Sequence, residues 1–131
     1  MNKIWSPENI APPAARYHHC AYVPANSDWL HIAGQLGFDL EGKLGSGVEE
    51  QVLFAWQNID GLLLANQMER EDIVSVRVYL VDRDALPGYR AAMQRLFNKP
   101  SQVLPVTLLF VAGLFSPEWK VEIEVQAAKK P

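Results

Sequence analysis

Two segments near the C-terminus set the strongest constraint on what this chain can fold into. Val106 to Ala112 runs almost wholly apolar, the pattern of a strand covered on both faces. Lys120 to Gln126 alternates strictly: Val121, Ile123 and Val125 point one way, and Lys120, Glu122, Glu124 and Gln126 the other. A third segment, Ile73 to Val81, is rich in β-branched residues and predicts another strand. These strands form a sheet that needs cover, and the rest of the chain supplies too little of it.

The clearest helix carries Val48, Val52, Ala55, Trp56, Ile59, Leu62 and Leu63 on one face, with Glu49 and Glu50 in its first turn where the helix dipole favours them. A second helix is predicted from Leu86 to Phe97, with Asp84 as its cap, Pro87 in its first turn, and Tyr89, Met93 and Leu96-Phe97 as its apolar face. Upstream, Ser6 to Ala15 holds three prolines and reads as an extended arm. His18 to Val23 and Trp29 to Gln35 read as a hairpin across Pro24 and the turn 25–28, and the glycines at 37, 42, 45 and 47 mark a loop. The expected order is ββαβαββ, one domain over residues 1–131, of the α+β class with two helices on one face of a single sheet. Two helices cannot cover both faces of five strands, so the pattern predicts that a second copy of the chain covers the other.

Composition narrows the function. Apolar residues at 49% and charged residues at 21% are those of a globular protein. Twelve Lys and Arg against fifteen Asp and Glu give a net charge of −3, which argues against nucleic-acid binding. No apolar run reaches the ~18 residues of a membrane span, and the first ten residues lack the apolar stretch of a signal peptide. The expectation is a cytoplasmic protein with no membrane partner.

Several residues are chemical candidates. Glu122 and Glu124 share a strand face roughly 6.5–7 Å apart, a spacing at which paired carboxylates act as acid and base. The alternative is a solvated face or ion pairing with Lys120. His18, His19 and His31 with the lone Cys20 raise the question of a metal, but adjacent strand residues point apart and no further ligands stand at a recognised spacing, so no metal is expected. Cys20 is either a nucleophile beside histidines or a small core side chain. Phosphate-loop, dinucleotide and serine-hydrolase motifs are absent.

From about Ser6 to Ala127 the chain resembles the RidA family, also called YjgF/YER057c/UK114. The resemblance rests on Tyr17 after a proline-rich arm, Ile32-Ala33-Gly34-Gln35, Gln51 and Asn58 in the long helix, Val76 to Asp82, Tyr89, Phe97, Leu104-Pro105 and the closing Lys120-Val121-Glu122-Ile123-Glu124. It implies a chorismate-mutase-like fold, a homotrimer with small-molecule ligand clefts between subunits, and hydrolysis of enamines and imines to carbonyl products and ammonia without cofactor or metal. RNA cleavage has also been attached to the family, and the acidic chain argues against it here.

The resemblance further implies that Glu122 orients or activates water and that Tyr17, Gly34 and Thr107 border the ligand. Aligned through Pro105 and Ala112-Gly113-Leu114, the family's carboxylate-binding arginine falls at Val106, which implies a less anionic ligand or a cleft that binds without turnover. Arg16 is a weak substitute, since it points away from Tyr17 in an extended segment, whereas His19 shares the Tyr17 side. On this reading Val106, Glu122 and Tyr17 converge at a subunit boundary.

Overall fold

The computed structural model describes all 131 residues. Its elements are β1 (Lys3–Trp5), β2 (Cys20–Tyr22), β3 (Asp28–Gln35), α1 (Val48–Ala65), β4 (Ile73–Leu80), α2 (Leu86–Leu96), β5 (Val106–Phe110) and β6 (Val121–Lys129). The main sheet has four strands in the order β3-β6-β4-β5, antiparallel except for the parallel β4–β5 pair.

The helix faces read from spacing are the buried ones. Val52, Ala55, Trp56, Ile59 and Leu63 of α1 pack with Tyr89 and Ala92 of α2 onto Val76, Val78 and Leu80 of β4 and Val121, Ile123 and Val125 of β6. The buried residues of β4 and β6 pair directly (Val76 with Val125, Val78 with Ile123, Leu80 with Val121), so they share one face of the sheet. Gln51 is the one buried polar side chain of α1. Its amide donates to the carbonyls of Gly45 and Glu118, both at 3.2 Å, and accepts from the Lys120 backbone N–H at 2.9 Å. Gly37 and Gly45 lie so close to Gln51 that a Cβ on either would fall within 3.0 Å of it. Gln51 thereby ties the glycine loop to the start of β6.

The hairpin expected between 18–23 and 29–35 does not form. β2 pairs instead with β1, Trp5 opposite Cys20 and Lys3 opposite Tyr22, in a separate two-stranded sheet. The turn at 25–28 leads β3 away to pair with β6 from Asp28 opposite Lys129 to Gln35 opposite Ile123. The single five-stranded sheet is therefore a four-stranded sheet plus a ribbon. The apolar run 106–112 is strand only to Phe110, and its exposure alternates: Val106, Leu108 and Phe110 face the helices, while Thr107 and Leu109 are exposed on the far side. In the single chain the face opposite the helices is open.

Candidate functional site

On the open face, register places Ser75, Arg77 and Tyr79 of β4 beside Gln126, Glu124 and Glu122 of β6, with Thr107 beside Arg77 and Leu109 beside Tyr79. The strip is polar and charged. Between Ile32 and Gln35 the β3–β6 register shifts, a bulge that brings Gly34 against β6. A Cβ at Gly34 would stand 2.0 Å from Glu122 Oε2, so the carboxylate occupies the space that the missing side chain leaves. Gly34 and Glu122 are thus brought together, and the Glu122 carboxylate makes no hydrogen bond within the chain.

The two carboxylates differ. Glu124 accepts a hydrogen bond from the Tyr79 hydroxyl. That bond, followed by burial and the Glu124 charge, raises the phenol's pKa, while nearby Arg77 pulls it down. Lys120 serves neither carboxylate, because its ammonium donates to the Pro117 carbonyl at 3.0 Å.

Tyr17, His19 and Val106 lie elsewhere. They line a groove of about 1230 Å³ that runs from α2 past the β5 edge, with Arg16, Thr107, Tyr89 and Met93 in its wall. The Tyr17 hydroxyl accepts from the Ala14 N–H at 3.2 Å, and its ring meets His19 edge to face. His19 Nε2 donates to the Ala11 carbonyl at 2.6 Å, His18 Nδ1 pairs with Ser6 at 2.9 Å, and His31 stacks on Trp29. Arg16 donates to the Lys99 carbonyl at 2.8 Å. Cys20 donates to the Trp5 carbonyl at 3.4 Å.

The expected convergence of Val106, Glu122 and Tyr17 therefore does not occur within one chain. The groove wall includes neither Glu122 nor Gly34. Val106 pairs with Val76 on the helix side of the sheet and packs on the core, whereas its neighbour Thr107 shares the face of Glu122 and Glu124. On β5 it is Thr107, not Val106, that shares the sheet face of Glu122. Sequence reading missed Arg77 and Tyr79, although Ser75, Arg77 and Tyr79 alternate with Val76, Val78 and Leu80 as clearly as the residues of β6 do.

Fold and site together define an α+β domain with an open, carboxylate-bearing sheet face and a groove that runs from α2 around the sheet edge onto that face at Ser75, Thr107 and Gln126. The family model described as Endoribonuclease L-PSP matches residues 8–129. A RutC family protein of Aquifex aeolicus is 31% identical over 131 residues, spanning 98% of this chain and 100% of its own. By these matches the chain belongs to the RidA/YjgF family. Among solved structures, YyfB of Yersinia pestis, described as of the conserved Rid family and of unknown function, superposes with a TM-score of 0.81 at 24% identity over 96% of this chain and 97% of that one. Escherichia coli TdcF with bound serine superposes at 0.71 and 20% identity over 98% and 99%. No helix is long and apolar enough to cross a membrane.

Proposed function

We propose that this protein binds a small metabolite in clefts between copies of the chain, assembled as a homotrimer, and hydrolyses reactive enamines or imines there. The observation that carries this reading is the division of the site. Glu122 lies over Gly34 on a sheet face left open, while Tyr17 and His19 line a groove that turns onto that face at Ser75, Thr107 and Gln126 but stops short of Glu122. A second copy docked on the open face would bring the two halves together, and the sheet supplies the surface for it. That TdcF was crystallised with serine supports a small amino-acid-like ligand for a fold of this kind.

The chemistry needs one base. Glu122 takes a proton from water as its oxygen adds to the C=N carbon, and the proton passes to nitrogen. The proton of the new hydroxyl then follows by the same carboxylate to nitrogen as the C–N bond breaks, giving C=O and NH₃ from C=NH and H₂O. No cofactor enters this balance.

The second reading, a trimer that binds its metabolite without turnover, is favoured by Val106 at the start of β5, where the family resemblance implies an arginine. The two readings separate when imines are generated in situ by an amino-acid oxidase and trapped with semicarbazide. Hydrolysis by the wild type that disappears in Glu122→Gln supports the hydrolase, and no acceleration by the wild type overturns it.

A further inference from the structure

We propose that Arg77 is the group that holds the anionic end of the ligand, with the Thr107 hydroxyl beside it, so that the ligand is a small carboxylate-bearing molecule lying between Arg77 and Glu122. This rests on the reading of the open face as the ligand site. In the register Arg77 stands between Glu124 of β6 and Thr107 of β5, and Glu122 is its diagonal neighbour across the β4–β6 pair.

Arg77 is exposed, and the ion pairs of the chain are elsewhere, Arg70 with Asp60 and Arg95 with Glu49. Its nearest carboxylate, Glu124, is already engaged by Tyr79. Arg77 itself hydrogen-bonds the Tyr79 hydroxyl, which uses one of its five N–H donors and leaves others in a planar fork that matches a carboxylate in two parallel hydrogen bonds. Thr107 adds a hydroxyl donor at the same register position.

Spacing fits a small acid. Diagonal cross-strand neighbours lie about 7–8 Å apart, which accommodates a carboxylate on Arg77, an adjacent reacting carbon, and a water held by Glu122. Charge makes Arg77 necessary, because Glu122 and Glu124 would otherwise repel any anion on this face. The remaining groups facing the strip, Ser75, Tyr79, Gln126 and His31, include no second Lys or Arg. The expectation of a less anionic ligand, drawn from Val106, is thus reversed: the guanidinium stands on β4 rather than β5.

The test is calorimetric binding of 2-oxobutyrate, the keto-acid product type, to wild type, Arg77→Gln and Arg77→Lys, beside the neutral 2-butanone. The expected result is binding of the acid by the wild type, at least tenfold weaker in Arg77→Gln, partly retained in Arg77→Lys, and no discrimination among the three with the ketone. Equal binding of the acid by wild type and Arg77→Gln overturns the proposal, as does a wild type that binds no acid. Binding that depends on Arg77 in a wild type without imine hydrolysis upholds Arg77 and removes only the hydrolase reading.

Discussion

Replacing Gly34 by alanine separates the site's geometry from the fold's stability. The added Cβ would stand 2.0 Å from Glu122 Oε2 and 2.6 Å from Cδ and Cγ, so the carboxylate end must retreat by about 1.4 Å to reach ordinary contact at 3.4 Å. Gly34 does not need a positive φ, and the atoms in the way, Glu122 Oε2, Cδ and Cγ, all belong to one side chain that a change at χ1 can swing aside. Alanine stabilises through the unfolded chain by about 0.4–1 kcal/mol. Forcing Glu122 off its rotamer costs about 0.5–1.5 kcal/mol. The two nearly offset, and urea melts of Gly34→Ala are expected within about 1 kcal/mol of wild type. Activity has no such offset, since a misplacement near 1 Å costs about 10²-fold. In the semicarbazide assay Gly34→Ala is expected to fall by that factor, and the double variant with Glu122→Gln to be no slower than Glu122→Gln alone. A Gly34→Ala protein as fast as wild type, while Glu122→Gln is dead, would refute the reasoning.

Two further outcomes follow from the core and its borders. Burial pushes the Tyr89 hydroxyl up to about 12, above the ~10 of an unfolded tyrosine. Its contribution is intact below pH 10 and lost as pH rises from 10 towards 12, by at most about 3 kcal/mol. Tyr79, raised mainly by its bond to Glu124, acts in the same direction. Tyr89→Phe should flatten most of the alkaline loss in melts compared at pH 8 and pH 11.5, and an unchanged slope would contradict the burial argument. Gln51→Leu strips partners from the Gly45 and Glu118 carbonyls and the Lys120 N–H. It should cost about 3 kcal/mol by denaturant titration, and a loss below about 1 kcal/mol would show that water replaces all three bonds.

What the sequence disclosed follows from the range of the interactions involved. The α1 face was legible because five of its apolar residues at three- and four-residue spacing are those that bury. The β6 alternation was legible for the same local reason, and Val121, Ile123 and Val125 are buried while Glu122 and Glu124 are not. The partner of β2 was not legible. Lys3–Trp5 is only three residues long, and its pairing depends on contacts across a proline-rich arm rather than on any turn signal. The approach of Glu122 to Gly34 was out of reach for a related reason, since it depends on a bulge between strands some ninety positions apart in the chain. Val106 and Thr107 show how much a single position decides on a strand: Val106 turns to the helices and Thr107 to the face of Glu122. Arg77 was readable in the polar alternation of β4 but was passed over because that segment was read only for its β-branched residues.

In the proposed assembly one chain supplies Glu122 and another supplies Tyr17. Subunit mixing tests it most directly. Tyr17→Ala and Glu122→Gln would each be prepared alone, shown to be inactive in imine hydrolysis, then co-refolded in equal amounts. In a cyclic trimer with sites between subunits, about a quarter of the sites in the mixture carry both native residues, so activity should return to about a quarter of wild type. No recovery, or a Tyr17→Ala protein that is fully active alone, would contradict the account.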